Sequence, residues 1–203
     1  MKKKALVLIG FQRDYFDKNG ILHNVVEESL QTFNVLENTV NVVEYLKGSE
    51  DYLIISTPIV FSKDYFELKD PIGILSTIKD VGAFKSGEPG CETIDSIASF
   101  GDSILTIPGK QGLNAFVNTE LEDILRKNNI EDVVLAGCVC SICIDSTGRS
   151  AAEKGFNVTM LSDCISSRTT FEHEFYMENV FPLYAEVKTT STFLEALKLV
   201  SVD

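Results

Sequence analysis

Residues 133–143 read VVLAGCVCSIC, an apolar run that breaks at Gly137 and brings Cys143 to the start of a helical pattern. A short apolar run that ends at a glycine is typical of a strand buried on both faces of a sheet. A cysteine in the first turn of the next helix faces unpaired N–H groups and the positive end of the helix dipole, which favour the thiolate. The stretch therefore predicts a reactive thiol at the end of a buried strand. The alternative is that Cys143 is simply a small buried residue.

The rest of the chain alternates between the same two patterns. Apolar runs rich in β-branched residues predict six strands, at residues 5–10, 52–57, 103–107, 132–137, 157–162 and 184–188. Apolar residues three and four apart predict helices at 26–47, 119–127, 142–154 and 191–200, with Thr119 as an N-cap and Gly155 as a C-terminal stop. This alternation predicts a single-domain, three-layer α/β sandwich with a mostly parallel six-stranded sheet. Residues 61–101 hold many glycines and prolines, and predict an excursion that belongs to the active site or an interface.

Composition excludes several classes of protein. The chain has 203 residues and a formal net charge of −12, and its mean hydropathy is +0.09. It can therefore bury one substantial core, while its charge disfavours nucleic acid and anionic membranes as partners. The apolar runs are too short to span a membrane, and the start of the chain lacks the pattern of a secretory signal. These observations predict a soluble cytoplasmic protein in which the five cysteines are free thiols.

Three positions follow predicted strands and are expected to meet at one edge of the sheet. Gly10 ends the first strand, Lys110 follows the third, and Cys143 follows the fourth. Chemistry in parallel sheets gathers where the carboxyl ends of strands meet a point at which the strand order reverses. Lys110 by itself is an ordinary loop lysine, but in the same crevice as a thiolate it would favour the ionised sulfur and steady an oxyanion or a carbonyl.

The segments around these positions resemble the isochorismatase-like cysteine hydrolases, which include nicotinamidases and carbamoylsarcosine amidase-like enzymes. The matching segments are ALVLIGFQRDYF at 5–16, KQGLNAF at 110–116, AGCVCSIC at 136–143, GFNV at 155–158 and SDC at 162–164. The resemblance covers almost the whole chain, and implies one isochorismatase-like domain over residues 1–203. It also implies hydrolysis of a small amide or related carbonyl compound through a thioester, in a homodimer or larger assembly. We expect no cofactor, because the region after the second predicted strand has none of the histidines with which nicotinamidase-type relatives hold a metal.

The family mechanism that the resemblance implies uses an aspartate, a lysine and a cysteine. The aspartate takes the thiol proton, the thiolate attacks an amide carbonyl, and backbone N–H groups hold the oxyanion. The resemblance assigns the lysine and the cysteine to Lys110 and Cys143, places the oxyanion turn at Val139 and Cys140, and implies a cis peptide bond between those two residues.

Gly10 stands where the family carries its aspartate, so the expected proton acceptor is missing. Asp14 matches the second acidic position of the opening motif, which orders a turn, and Asp17 is a weaker substitute. Loss of a general base commonly costs about 10²–10⁴-fold in rate. Two readings follow: an active hydrolase with an altered site, or a catalytically impaired member, natural or engineered, that binds a small molecule or a protein partner. We expect the substitution Gly10→Asp to restore turnover if the site is otherwise intact.

The remaining expectations concern ligands and assembly. Phe16, Phe84 and Phe116 are candidates for the wall of the substrate cavity, although aromatic residues pack in cores just as well. A Cys-x-Cys-x-x-Cys spacing suggests zinc or thiol redox chemistry, but strand and helix would separate the side chains, and we expect no metal site. Isochorismate hydrolysis is disfavoured, because relatives with that activity keep the aspartate and lack the cysteine. Exposed phenylalanines at 61, 66 and 84 would favour self-association.

Overall fold

Six parallel strands form the centre of the computed structural model, which describes residues 3–200. The strands are β1 (Lys3–Ile9), β2 (Tyr52–Thr57), β3 (Leu105–Thr106), β4 (Ile130–Gly137), β5 (Asn157–Ile165) and β6 (Glu186–Lys188). They lie in the order β3-β2-β1-β4-β5-β6, and each neighbouring pair is parallel. This confirms the predicted six-stranded α/β fold. The predicted domain range includes residues 1, 2 and 201–203, which lie outside the described residues.

The order of the strands reverses between β1 and β4, so this is the switch point of the sheet. Ile9 pairs with Thr57 of β2 on one side and with Gly137 of β4 on the other. The carboxyl ends of the three strands are therefore level with one another. Loops that leave these ends diverge above and below the sheet, which opens the crevice where α/β proteins bind ligands.

Helices cover both faces of the sheet. They are α1 (Arg13–Phe16), α2 (His23–Thr32), α3 (Val35–Leu46), α4 (Ile74–Val81), α5 (Asp95–Ala98), α6 (Leu121–Lys127), α7 (Asp145–Glu153), α8 (Thr170–Phe175) and α9 (Thr190–Val200). Alternate side chains of β1 face opposite layers. Leu6 and Leu8 belong to the core with residues of α3 and α9, whereas Val7 and Ile9 belong to the core with residues of α6 and α7. Each buried aliphatic side chain contributes about 1.5–3 kcal/mol.

The long helix predicted at 26–47 is two helices, α2 and α3. The break lies at Asn34, whose φ of 51° is the left-handed conformation that asparagine adopts more readily than most residues. After the break, α2 contacts the chain that follows β5. There Ser29 Oγ donates to Ser167 O at 2.6 Å and accepts from Ser167 N at 2.8 Å. Periodicity cannot show such a break, because apolar spacing continues through it.

Two other elements differ from the sequence expectation. The third strand is only two residues long, because β3 is an edge strand that pairs with β2 alone. The helix predicted at 142–154 begins earlier, as a π-helical segment at Cys140–Ile144 that continues into α7. Gly155 ends α7 with a φ of 84°, as predicted.

The excursion at residues 61–101 packs as part of the core. Phe61 and Phe84 are fully buried, and Phe61 N donates to Phe84 O at 2.9 Å. The expectation that both rings are exposed is therefore wrong, because backbone pairing turns them inward; Phe66 remains 66% exposed. Within the described chain, we find no helix that is long and apolar enough to cross a membrane.

Candidate active site

Gln12 joins the carboxyl ends of the first two strands. Its Nε2 donates to Ile59 O and to Cys91 O, both at 2.7 Å, and its Oε1 accepts from Ile59 N at 2.8 Å. The side chain is 1% exposed, so these bonds are shielded from water. Ile59 in turn forms a parallel β-bridge with Lys110. Gln12 thus fixes the backbone from which the candidate lysine projects.

Lys110 is fully buried and points at the candidate thiol. Its Nζ donates to Cys143 Sγ at 3.5 Å and to Gly112 O. The segment that follows Lys110 is tied to α7, because Ala115 N donates to Thr147 Oγ1 at 3.0 Å. Among residues 3–200, no carboxylate lies within ion-pair distance of Lys110 Nζ. The fold therefore brings into contact an amine and a thiol that lie 33 residues apart in the chain.

Cys143 lies in the π-helical segment that follows β4, with 3% of its surface exposed. This places the thiol near the start of the helical chain at the switch point of the sheet. Val139 O accepts from Ile142 N at 3.1 Å and from Ile144 N at 3.2 Å, which closes the turn around the cysteine. The Cys143 side chain is thus held by the backbone, facing Lys110.

The turn between β4 and Cys143 differs from the expected geometry by one residue. The cis peptide bond joins Cys138 to Val139, so the expected bond between Val139 and Cys140 is the wrong one. The N–H groups on either side of Val139 are both hydrogen-bonded. Cys138 N donates to Ile9 O, at the end of β1, at 3.0 Å, and Cys140 N donates to Ser166 O, just after β5, at 2.8 Å. Cys140 N is therefore not free to hold an oxyanion. In the described chain, Val139 N has no protein acceptor.

Gly10 adopts a conformation that suits glycine. Its φ is +74°, and a Cβ at this position would lie 3.0 Å from both Cys138 O and Cys138 Sγ. The Cys138 thiol donates to Gly10 O at 3.4 Å. The side chain of Cys138 thus occupies the space into which a side chain at position 10 would extend.

This geometry, a thiol and a lysine at the switch point of a parallel sheet, agrees with a family comparison. A model described as the isochorismatase domain matches residues 4–192. The chain belongs to the isochorismatase-like cysteine hydrolases.

Relatives of this chain include an uncharacterised family member and an amidohydrolase. The chain is 31% identical over 115 residues to an uncharacterised isochorismatase family protein of Bacillus subtilis, covering 56% of this chain and 60% of the relative. It is 30% identical over 108 residues to maleamate amidohydrolase of Pseudomonas putida, covering 53% of this chain and 48% of the relative. The matched regions thus span about half to three fifths of these relatives.

Solved structures show the same fold over the whole chain. An isochorismatase family protein from Desulfovibrio vulgaris superposes with a TM-score of 0.82 at 18% identity, covering 98% of this chain and 100% of that chain.

The two aspartates near Gly10 have structural partners. Asp14 is buried, and its Oδ2 accepts from Phe84 N at 2.6 Å, so it anchors the excursion to α1. A Cβ on Gly90 would lie 2.1 Å from Asp14 Oδ1, which explains the glycine there. Asp17 is half exposed and pairs with Arg13 at 3.1 Å. Neither carboxylate is in ion-pair contact with Lys110 Nζ.

The three candidate cavity phenylalanines lie in different places. The Phe16 ring stacks on Phe11 at 4.8 Å, and the Phe116 ring lies 6.3 Å from Phe156. These contacts are packing contacts within the two cores. The Phe84 ring lies 5.1 Å from Tyr15, which is near the candidate thiol. Of the three, Phe84 is thus the one that the structure brings toward the site.

Burial suppresses ionisation of three of the other thiols. It raises the pKa of Cys138 well above its ordinary value, and proximity to Cys143 adds to this rise. Burial also raises the pKa of Cys140 and of Cys164 to about 12. Cys91 is partly exposed, and its thiol donates to Glu88 O at 3.1 Å. Within residues 3–200, no three His, Cys, Asp or Glu side chains are grouped as a metal site would require.

Sequence reasoning missed three residues that shape this site: Gln12, Cys138 and Tyr15. The Tyr15 ring lies beside Gly10, 3.7 Å from where a Cβ on that glycine would lie, and burial, with smaller effects of Cys138, Cys143 and Asp14, raises the pKa of Tyr15 well above its ordinary value. Gln12 stood within the opening motif, yet nothing in its spacing shows that it bonds to Ile59. Such contacts depend on the order of strands, which a single sequence does not display.

Proposed function

We propose that this protein is a cysteine hydrolase that acts on a small amide or related carbonyl compound. The observation that carries the proposal is the 3.5 Å contact between the buried side chains of Lys110 and Cys143, from Nζ to Sγ, at the switch point of the sheet. A buried ammonium favours the thiolate, which is the nucleophilic form of cysteine. A structural cysteine would need no such partner.

The remaining geometry supplies the other parts of acyl transfer. The Cys143 thiolate attacks the carbonyl carbon, and the carbonyl electron pair moves to oxygen. Within residues 3–200, Val139 N has no protein acceptor, and this N–H is our candidate to hold the oxyanion. Collapse expels the amine and leaves a thioester on Cys143, which water then hydrolyses to the acid and the free thiol. The similarity to maleamate amidohydrolase supports an amide as the substrate class.

Covalent capture tests the proposal. The protein, with Cys91→Ser to remove the partly exposed thiol, is incubated with p-nitrophenyl acetate and with a panel of small primary amides. We expect the mass of one acyl group on Cys143, and none on the matched Cys143→Ala variant. Acylation that is absent from Cys143 with every compound would overturn the proposal.

Gly10 favours a second candidate function, a catalytically impaired member that binds a small molecule or a protein partner. Its backbone conformation and the Cys138 thiol leave no room for a carboxylate without adjustment. Such a protein would bind members of the amide panel without acylation or turnover, so the same experiment separates the two functions. A cytoplasmic, homo-oligomeric state is part of the proposal for both.

A further inference from the structure

Several titratable groups lie near the Cys143 thiol, and among residues 3–200 only Lys110 is in hydrogen-bond contact with its sulfur. Cys138 faces it from the end of β4, and Tyr15 faces it from α1, but burial keeps both of these groups protonated. Asp14, also on α1, uses its Oδ2 to bind Phe84 N. Lys110, from the loop after β3, is in hydrogen-bond contact with the sulfur.

The surroundings of Lys110 allow its amine to exchange a proton. It is fully buried, and within the described chain its Nζ has no carboxylate partner. An unpaired buried ammonium is costly, and besides Gly112 O the contact of Lys110 Nζ is with Cys143 Sγ, whose ionised form would balance the charge. The pair is neutral overall both as ammonium with thiolate and as amine with thiol. A carboxylate at position 10 would hold the lysine in its charged form, and Gly10 removes that constraint.

We propose that Lys110 itself carries the proton that the family assigns to an aspartate, so that Lys110 and Cys143 act as a two-residue catalytic unit. This inference rests on the proposed hydrolase function. It makes Lys110 a general acid and base, in addition to a fixed positive charge.

The proton balance closes over one cycle. The thiolate forms the S–C bond, and the Lys110 ammonium then donates its proton to the leaving nitrogen as the C–N bond breaks. The neutral amine next takes a proton from water as the oxygen attacks the thioester carbonyl. Collapse breaks the S–C bond, releases the acid, and restores the thiolate with the ammonium. The net reaction is amide plus water to acid plus amine.

Hydrolysis of one acyl-enzyme tests this role without knowledge of the substrate. p-Nitrophenyl acetate acetylates cysteine without needing an acid, because its leaving group departs as an anion. Acetyl-Cys143 is formed in the parent, in Lys110→Met, in Lys110→Arg, and in the control Lys63→Met, which changes an exposed lysine. Loss of the acetyl group is followed by intact mass over time.

We expect both Lys110 variants to lose the acetyl group roughly 10²–10⁴-fold more slowly than the parent, and the control to match the parent. Arginine keeps the charge but cannot give up its proton, so it separates proton transfer from electrostatics. Fast deacylation of Lys110→Arg would overturn the inference and leave the proposed hydrolase intact. A parent that never acquires an acetyl group on Cys143 would overturn both.

A measurement on the parent covers the case in which the buried substitutions do not fold. If Lys110 removes a proton from water during deacylation, the acetyl group is lost more slowly in D₂O than in H₂O. An equal rate in the two solvents contradicts the inference.

Discussion

The substitution Gly10→Asp tests whether this site can accept the carboxylate that the family resemblance predicts at position 10. The sequence alone predicts a gain in turnover, since it restores a proton acceptor. The structure predicts a different result, because position 10 is constrained in two ways. Its φ of +74° disfavours any residue with a Cβ, and that Cβ would lie 3.0 Å from Cys138 O and Cys138 Sγ.

These constraints set the magnitude. The left-handed conformation costs about 1–2 kcal/mol for a residue other than glycine, with aspartate near the lower end. Overpacking against a buried backbone oxygen and a buried sulfur adds about 1–3 kcal/mol. The total, about 2–5 kcal/mol, is a large part of the roughly 5–15 kcal/mol by which a domain is stable. Relief of the contact would also shift the turn that carries Cys143, so we expect no gain in kcat.

Urea unfolding and turnover on the amide panel measure both effects. The matched variants are Gly10→Ala, which adds the Cβ without a charge, and Cys138→Ala, which removes the sulfur. We expect the double variant Gly10→Asp with Cys138→Ala to recover about 1 kcal/mol or more of the stability lost in the single variant. A Gly10→Asp protein as stable as the parent, or one with raised kcat, would refute this reasoning.

Four further predictions follow from the same structure. In the Cys91→Ser variant, iodoacetamide should label Cys143 near neutral pH and leave Cys140 and Cys164 unmodified, since burial raises the pKa of those two thiols to about 12. Faster labelling of Cys140 or Cys164 would contradict the assignment of Cys143 as the reactive thiol. Burial lowers the pKa of His173 below 6.5 in the folded protein, so as the pH falls the unfolded chain takes up a proton at this residue before the folded chain does. The free energy of unfolding should therefore decrease as pH drops below about 6.5. The variant His173→Gln should show a shallower fall in Tm over that range. Gln12→Leu removes three hydrogen bonds, two buried and one partly buried, and should cost about 2–4 kcal/mol in urea unfolding, with slower acylation of the thiol. Unchanged acylation would mean that this glutamine does not position the lysine. We also expect self-association, and light scattering that returned the monomer mass of 22.5 kDa at micromolar concentrations would exclude it.

The amino-acid sequence by itself predicted the six strands of this fold and the candidate residues for its chemistry. Apolar runs and helical spacing are local patterns, so they predict β2 at its observed limits, the parallel sheet, and the stop of α7 at Gly155. The order of the motifs identifies the family, and with it the candidate roles of Lys110 and Cys143.

Only the tertiary structure decided how these residues meet. The contact of Lys110 with Cys143, the bonds of Gln12 to Ile59, and the place of the Cys138 thiol beside Gly10 each join segments far apart in the chain. Their geometry depends on strand order, on backbone angles such as the φ of Gly10, and on a turn whose cis bond lies one residue earlier than expected. None of these quantities has a local signature, because each is set by packing among segments that the sequence presents separately.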